Sequence, residues 1–202
     1  MKPSYRFYRG FYRLARFFLG IFYRLRVSGT ENIPEGAALV CANHSSNVDP
    51  FLIAFAFGVD RHMHVIAKVE LFRIPVVAQV MKKLGMIKVN RDGPDTATIM
   101  STFSYLKKNE KVVVFPEGTR VVDDNAASVK SGAVKIAERT GVAVVPVYLP
   151  RKKPLFSKVL VIIGEPYYIK KAETKRSPEE YAVLADELMA KIGGLDPGSK
   201  AG

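Results

Sequence analysis

Short apolar runs alternate with longer helix-like segments along the chain. This alternation is the feature that most limits how the chain can fold. The apolar runs are rich in small and β-branched side chains, which is typical of buried strands. They lie at residues 37–42, 62–69, 86–89, 111–115, 142–149 and 158–163, with a shorter run at 27–29. Helical patterns occupy residues 75–84, 95–109, 130–140 and 178–192. The alternation predicts an α/β fold, an αβα sandwich with a largely parallel or mixed central sheet.

The whole-chain numbers limit the class of protein. A chain of 202 residues is long enough for one domain that buries roughly 70% of its unfolded surface. Cys41 is the single cysteine, which excludes an internal disulfide, and its place in a strand predicts a core residue. The net charge of +12 implies an anionic partner, which is nucleic acid, lipid head groups or a phosphorylated small molecule. No apolar run approaches the roughly 20 residues of a membrane span.

The first 26 residues are predicted to form an amphipathic helix that lies in a membrane interface. Seven basic residues and no acid precede Glu31. On a helical wheel most of the basic residues fall in an arc of roughly 80°, with apolar side chains opposite and Tyr8, Tyr12 and Tyr23 towards the flank. This pattern is typical of an interfacial helix. The predicted membrane contacts are Arg6, Arg9, Arg13, Arg16, Phe7, Phe11, Phe18 and Phe22.

Other interpretations of this segment were weighed. A secretory signal would carry its charges at one end, whereas the arginines here recur throughout, so we set it aside. A helix that packs on the core with a solvated basic face stays open. Stacking on nucleic acid fits less well, because the aromatic side chains face away from the arginines. The predicted organisation is a helix at residues 1–26, a domain at residues 27–195 and a loose tail at residues 196–202.

The first candidate site lies just after the predicted strand 37–42. A polar loop carries His44, and Asp49-Pro50 is typical of the N-cap and first residue of a helix. A turn between the two could direct the Asp49 carboxylate at one imidazole nitrogen and leave the other free as a base. The alternative is that Asp49 only caps a helix and His44 only bonds loop backbone.

Two further strand ends carry polar groups suited to the same site. Arg91 follows the strand 86–89, and a tight turn from Pro116 to Arg120 follows the strand 111–115. Because ligands bind outside the carboxyl ends of strands in open α/β sheets, two arginines there could clamp a phosphate or carboxylate. Singly, each arginine could equally be a solvated charge. Glu117 could orient Arg120, bond a substrate hydroxyl or form a salt bridge across the turn.

A metal site is not expected. His62 and His64 would share one face of a strand, but neither cysteine nor a carboxylate stands near them in the sequence. Two histidines alone are too few ligands for a typical zinc centre.

Four motifs together resemble those of the glycerolipid acyltransferase family, and most closely bacterial 1-acylglycerol-3-phosphate (lysophosphatidic acid) acyltransferases. In order they are His44-x4-Asp49, Gly85-x-Ile87-x3-Arg91, Phe115 to Arg120, and Val145-Pro146-Val147. The first and third motifs are highly specific, whereas the second and fourth are weak alone. Shorter matches begin at Lys68 and Lys130, and the similar part runs from about residue 27 to residue 164.

The resemblance implies that His44 is a general base and Asp49 the partner that orients it. It implies that the acceptor is bound by Lys68, Arg91, Glu117, Gly118, Thr119 and Arg120. Family members move an acyl group from acyl-CoA or acyl-carrier protein to a lysophospholipid hydroxyl, and the intact third motif favours a phosphorylated acceptor. We therefore expect phosphatidic acid as product, no cofactor beyond the acyl donor, and a peripheral or monotopic place on the cytoplasmic face of the cell membrane.

The chemistry of the residues agrees with that expectation. Acyl transfer from a thioester to an alcohol needs a base for the hydroxyl. The sequence has no Gly-x-Ser-x-Gly elbow, and Cys41 precedes the loop, so direct attack by the acceptor is favoured over an acyl-enzyme. Two alternatives stay open. One is another acceptor, such as a lyso-aminolipid or lysophosphatidylglycerol, and the other is a non-catalytic basic protein that binds lipid or nucleic acid.

Overall fold

Seven strands form one sheet at the centre of the molecule. The computed structural model describes residues 3–90, 96–121 and 129–200. The strands are β1 (Arg24–Ser28), β2 (Ala38–Ala42), β3 (Met63–Lys68), β4 (Ile87–Val89), β5 (Lys111–Val114), β6 (Ala143–Tyr148) and β7 (Lys158–Ile163). Their order across the sheet is β1-β7-β6-β2-β5-β3-β4.

The sheet is mixed, as predicted. Strands β2 to β6 all run parallel, so their carboxyl ends lie at one edge. Strand β7 runs antiparallel to β6, and β1 at the sheet's edge is parallel to β7. The middle of the sheet is continuously apolar because helices cover both of its faces. In β2, for example, all five residues are fully buried.

Helices cover both faces of this sheet and complete the predicted αβα sandwich. They are α1 (Tyr5–Phe22), α2 (Asp49–Phe57), α3 (Pro75–Leu84), α4 (Thr96–Lys107), α5 (Gly132–Thr140) and α6 (Pro178–Gly193). Alternate side chains of β2 enter different cores because successive residues of a strand point to opposite faces. Val40 packs with α1 and α2 on one face, whereas Leu39 and Cys41 pack with α4, α5 and α6 on the other. Burial raises the pKa of the Cys41 thiol, in keeping with a core residue.

Local sequence explains where several helices begin and end. Helix α6 starts with a capping box, in which Ser177 and Glu180 satisfy each other's backbone N–H groups, and with proline at its first position. Helix α3 ends at Gly85, whose φ of 73° is left-handed and whose N–H bonds the Lys82 carbonyl. A β-carbon at Gly85 would lie 2.6 Å from the His64 ring, so glycine is required there for space as well as conformation.

The N-terminal helix docks on the domain by its tyrosines. The Tyr8 ring is buried, and its hydroxyl donates to the Arg61 carbonyl at 3.2 Å. The Tyr12 ring packs edge-on against Phe55, with centroids 5.1 Å apart. The sequence placed these tyrosines at the flank of the apolar face, and in the structure that flank is the side of α1 that packs on the domain. Helix α1 packs on α2 and α3, and the fit to those surfaces decides which face docks, so the helix's own periodicity does not reveal it.

The ends of the described chain refine the predicted organisation. Helix α1 ends at Phe22 and β1 begins at Arg24, so the predicted boundary at residue 26 falls inside a strand. The predicted tail contains one short 3-10 turn, Pro197–Lys200. Within the described residues, none of the helices combines the length and the apolar character needed to cross a membrane.

Candidate active site

His44 and Asp49 are in direct contact at the carboxyl end of β2. His44 Nδ1 donates to Asp49 Oδ2 at 2.9 Å, and the backbone N–H groups of Ser45 and Ser46 donate to the same oxygen at 2.8 Å. Asp49 is the first residue of α2, and Val48 is the N-cap. The carboxylate thus reaches back to the loop instead of capping the helix. Because an ionised carboxylate only accepts hydrogen bonds, the contact favours the tautomer with Nδ1 protonated.

Neighbouring strands hold the His44 loop in place. The Asn43 side chain donates to the Leu149 carbonyl at 2.7 Å and accepts from the Leu149 N–H at 2.9 Å, which ties the end of β2 to the end of β6. The His44 ring stacks on Phe115 after β5, with centroids 4.0 Å apart and planes 20° apart. The imidazole is therefore supported from both adjacent strands.

Lys153 is a functional residue that the sequence reasoning missed. Its ammonium lies 2.9 Å from Asp49 Oδ1 and donates to Ser45 Oγ at 2.8 Å. The Lys153 side chain is only 2% exposed and that of Asp49 is fully buried. Burial would raise the pKa of the Asp49 carboxyl, but the His44 hydrogen bond and the Lys153 charge outweigh it, so this pKa lies below its ordinary value. Asp49 is an anion throughout the neutral range.

Glu117 lies beneath the site. One of its oxygens, Oε2, accepts the His44 backbone N–H at 2.8 Å, and Oε1 pairs with Arg151 Nη2 at 2.6 Å. The Glu117 side chain is fully buried, so its carboxylate supports the His44 loop from below. One role considered from the sequence was that Glu117 orients Arg120. In the structure Glu117 instead contacts the His44 N–H and Arg151, and Arg120 contacts Asn47. The ion pair that forms crosses from the turn to the chain after β6.

The turn that contains Glu117 positions Arg120 beside His44. Gly118 has a φ of 65°, in the left-handed region that favours glycine, and the Lys130 side chain lies against it. The next residues return to the His44 loop, where the Val121 N–H donates to the His44 carbonyl at 2.7 Å. Arg120 Nη1 donates to Asn47 Oδ1 at 3.0 Å, and its guanidinium is exposed.

A large cavity opens next to this cluster. Its volume is about 1100 Å³. The polar end is lined by His44, Ser45, Asn47, Thr119 and Arg120. Beyond it the lining is mainly apolar and comes mostly from α1, α2, β3 and α3, with Met86 from the turn before β4. Its residues include Phe11, Tyr12, Phe51, Met63, Val65 and Met81. Lys68 also lines the cavity, at the end of β3.

The fold brings some predicted site residues together and separates others. His44, Lys68, Thr119 and Arg120 line one cavity, with Asp49 and Glu117 behind it. Gly118 borders a smaller cavity of about 250 Å³ between α4 and α5. Arg91 lies outside the described residues.

The predicted membrane contacts on α1 fall into two groups, those that are exposed and those that contact the rest of the protein. Phe18 and Phe22 are 53% and 37% exposed, and Arg6 and Arg13 are also exposed. Phe7 and Phe11 are half-buried. Two arginines have partners within the protein: Arg9 pairs with Asp60 at 2.5 Å, and the Arg16 guanidinium lies 5.3 Å from the Phe55 ring centre.

Near the amino ends of the strands, His62, His64 and Glu110 form a second cluster. Their ligand atoms all lie within 4.8 Å of one another, so a carboxylate does approach the two histidines, contrary to the sequence reasoning. His64 Nε2 and Glu110 Oε2 are 2.7 Å apart, the distance of a direct hydrogen bond. The other contacts are to the carbonyls of Leu84 and Gly85. These bonds join α3, β3 and the start of β5, and the expectation of no metal stays a prediction.

Comparisons with known proteins point to one family. The Acyltransferase family model matches residues 24–150. The 1-acyl-sn-glycerol-3-phosphate acyltransferase of Bacillus subtilis (strain 168) is 32% identical over 179 residues, which cover 85% of this chain and 88% of that protein. The crystal structure of the 1-acyl-sn-glycerophosphate (LPA) acyltransferase PlsC from Thermotoga maritima is also similar, with 30% identity and a TM-score of 0.67. The matched region covers 95% of this chain and 78% of the Thermotoga maritima chain.

Other relatives are considerably longer than this chain. The chloroplastic 1-acyl-sn-glycerol-3-phosphate acyltransferase LPAT1 of Arabidopsis thaliana is 30% identical over 185 residues, which cover 85% of this chain and 49% of that protein. For the chloroplastic BAT2 protein of Brassica napus the share of that protein is 50%. The chain thus spans about half the length of these curated relatives.

Proposed function

The chain belongs to the Acyltransferase family, and from this premise we propose that it acylates the free hydroxyl of 1-acylglycerol-3-phosphate to give phosphatidic acid. The acyl donor is a thioester, either acyl-CoA or acyl-carrier protein. One observation carries the proposal: the His44–Asp49 pair stands where a mainly apolar cavity meets an exposed arginine. A base, a binding site for an acyl chain and a cation for a phosphate then lie within one site.

His44 is the general base of the proposed reaction. Its Nε2 takes the proton from the acceptor hydroxyl as the oxygen bonds to the thioester carbonyl carbon. The carbon–sulfur bond then breaks, and the proton passes from His44 to the leaving thiolate. Asp49 stays ionised and stabilises the imidazolium that forms between these steps, because its pKa lies below the ordinary value.

The acceptor phosphate is proposed to bind at Arg120, with Lys68 as a further cation. Both residues line the cavity that contains His44. Arg120 is held by Asn47, from the same loop as His44, which fixes the guanidinium relative to the base. Thr119 offers a hydroxyl on the same lining. Arg91 remains a predicted further ligand by resemblance alone.

The apolar part of the cavity is proposed to hold an acyl chain. Met63 and Val65 on β3, and Met81 on α3, line it away from the strand ends that carry His44. An aliphatic chain gains free energy by leaving water for such a lining. Methionines are suited to this task because their side chains adapt to a flexible ligand.

The N-terminal helix is proposed to hold the enzyme on an anionic bilayer surface, as a peripheral protein of the cytoplasmic face. Phe17, Phe18 and Ile21 are exposed by 66%, 53% and 54%, next to exposed arginines. Such a helix places apolar side chains at the acyl boundary and cations among the head groups. Because the proposed acceptor resides in a bilayer, attachment to the bilayer surface brings the candidate site close to it.

A thiol-release assay tests the function. The full chain is incubated with lysophosphatidic acid and acyl-CoA or acyl-carrier protein, and free thiol and phosphatidic acid are measured together. The same assay with lysophosphatidylglycerol and a lyso-aminolipid compares the alternative acceptors. We expect turnover to be highest with lysophosphatidic acid and to fall about 10²- to 10⁴-fold in His44→Ala.

Two outcomes would contradict the proposal. A higher rate with an unphosphorylated or different lysolipid would assign another acceptor. Vesicle binding without thiol release from any acceptor would instead favour a non-catalytic lipid-binding protein. Circular dichroism of the His44→Ala protein checks that the loss of turnover is not a loss of fold.

A further inference from the structure

The loop between β6 and β7 ends in two adjacent apolar side chains that the domain does not cover. Leu155 is 62% exposed and Phe156 is 65% exposed. The loop continues directly into Lys158, the first residue of β7. Two neighbouring large apolar residues held in water at a loop tip are unfavourable unless another apolar phase covers them.

The backbone holds this tip in a strained conformation. Phe156 has a φ of 63°, in the left-handed region that residues with a β-carbon avoid. Its N–H donates to the Phe22 carbonyl at 2.6 Å, and the Phe156 and Phe22 rings lie 5.6 Å apart. This conformation leaves the Phe156 ring outside the domain core. The hydrogen bond and the ring contact attach the tip to the last turn of α1.

The tip therefore extends an apolar surface that begins on α1. Along that helix the exposed residues include Leu14 and Phe17 at 57% and 66%. We call the combined surface the apolar rim, and it consists of Phe17, Phe18, Ile21, Phe22, Leu155 and Phe156. The rim joins two parts of the chain that are far apart in sequence, so the helical pattern of α1 alone describes only part of it.

Cations border the rim. Arg24 and Lys158 are both exposed and lie opposite each other in the paired strands β1 and β7. Lys152 is exposed on the loop itself. Residues 13–30 and 150–158 contain no aspartate or glutamate. An apolar surface next to these basic side chains is complementary to an anionic bilayer, whose head groups meet the cations while its acyl region covers the rings.

We propose that Leu155 and Phe156 form a second membrane contact that enters an anionic bilayer beside the end of α1. The proposal rests on the membrane association proposed above and extends it from one helix to two elements. It also gives the membrane contact a link to the site, because the same loop carries Lys153, which pairs with Asp49. Two contacts from separate parts of the chain limit the tilt of the domain on the bilayer more than α1 does alone.

Single tryptophans test the insertion directly, because the chain contains no tryptophan. Phe156→Trp reports on the tip and Phe18→Trp on α1. Val183→Trp is the control, since Val183 is 57% exposed on α6, which packs against the opposite face of the sheet. Each full-length variant is mixed with phosphatidylcholine vesicles that contain phosphatidylglycerol. Emission wavelength and quenching by brominated lipid chains are then recorded, with sedimentation as the measure of binding.

We expect tryptophan at 156 and at 18 to shift to the blue and to be quenched, and tryptophan at 183 to do neither. A bound protein in which only position 18 responds would overturn the second contact and leave the α1 anchor standing. A protein that does not sediment with vesicles would overturn both. Thiol release on lysophosphatidic acid is measured separately, so a failure of the proposed reaction is recognised independently.

Removal of the tip gives the matching measurement of affinity. Leu155→Ser with Phe156→Ser should weaken partition onto these vesicles about tenfold or more, because two large side chains no longer leave water. The control replaces Met100 and Val183 by serine, residues that are 61% and 57% exposed on α4 and α6. Equal partition of the two double variants, with thermal melting that shows both folded, would contradict the proposal.

Discussion

At the scale of single residues, the Asp49 carboxylate is the centre of the site. It receives three hydrogen bonds on Oδ2 and the Lys153 ammonium on Oδ1. A buried carboxylate is favourable only when its charge is compensated in this way. We therefore expect Lys153 to be a positioning residue that acts on the proposed base through Asp49.

Replacement of Lys153 by Met should destabilise the protein and alter its pH dependence. Removal of one partner of a buried ion pair typically lowers the free energy of unfolding by about 3–5 kcal/mol. The pKa of Asp49 should rise, so activity should be lost at a higher pH on the acid side. Urea unfolding and a pH–rate profile measure these effects. Lys152→Met, at the exposed neighbour, should match the wild type in both, and a stable Lys153→Met protein with an unchanged profile would argue against the role.

Arg120 should decide between phosphorylated and unphosphorylated acceptors. Loss of a charged hydrogen-bond donor in Arg120→Ala should raise KM for lysophosphatidic acid about 10- to 100-fold. KM for a monoacylglycerol should change little. Arg120→Lys should restore only part of the loss, because an ammonium lacks the guanidinium's two parallel donors. Arg139→Ala, an exposed arginine on α5, is the matched control. An equal rise in KM for both acceptors would indicate that Arg120 supports the fold and does not bind the phosphate.

At the scale of elements, a buried carboxylate joins α5 to α6. Glu138 accepts from the Tyr181 hydroxyl at 2.5 Å, from Arg176 Nε at 2.8 Å and from the Ala172 N–H at 3.1 Å. These bonds, led by that of Tyr181, lower the pKa of Glu138 to about 2. The candidate active-site cavity is lined from the other face of the sheet, so we expect this network to affect stability and not the proposed reaction.

The stability of the protein should depend on Glu138 in acid. The native pKa lies below the ordinary value of 4.5, so the carboxylate's contribution is fully present above pH 4.5 and is lost as the pH falls towards 2. We expect Glu138→Gln to lower the free energy of unfolding by roughly 2 kcal/mol at pH 7, and the difference to shrink below pH 4.5. Urea unfolding across this range measures it. Glu187→Gln, at an exposed position of α6, should show no such pH-dependent difference.

Charge reversal on α1 should weaken binding to anionic vesicles. Arg6 and Arg13 are exposed, and each cation near such a surface contributes about 1 kcal/mol. Arg6→Glu with Arg13→Glu should therefore reduce affinity about 30-fold or more at low salt, and less at high salt because the charges are screened. Sedimentation with vesicles measures this. The control is Arg139→Glu with Lys175→Glu, both exposed. An equal loss in the control would indicate a general effect of net charge.

At the scale of the whole molecule, the cavity depends on elements from distant parts of the chain. Helix α1 closes one side of it, α2, β3 and α3 supply most of its apolar lining, and the loops after β2 and β5 supply its polar end. Met63 begins β3, so it lies towards the amino ends of the strands, and His44 lies beyond the carboxyl end of β2. If the cavity holds the acyl chain as proposed, its length between these ends sets how long that chain can be.

A larger side chain at Met63 should shorten the acyl chains that the enzyme accepts. Met63→Phe adds bulk at the far end of the cavity, so turnover should fall for long acyl donors and persist for short ones. Competition between donors of different length in one assay measures this preference. Met100→Phe, at an exposed methionine on α4, is the control. A uniform loss across all chain lengths would place the acyl chain elsewhere.

The sequence by itself determined the features that depend on local interactions. Strand and helix periodicity predicted the αβα sandwich, because each element's pattern reflects burial on one or two faces. The contact between His44 and Asp49 was also foreseeable, since only a short loop separates the two side chains. Neighbours this close along the chain have few ways to arrange themselves.

Only the tertiary structure decided which distant residues meet. Lys153 reaches Ser45 across 108 positions, because the strand order places β6 beside β2. Arg151 after β6 reaches Glu117 after β5, on the far side of β2. The reversal of β7 likewise brings Phe156 to the end of α1. The docking of α1 by Tyr8 depends on the shape of the surface that receives it. Such contacts form only when the chain closes long loops and buries the joined surfaces, so their partners cannot be read from any one segment.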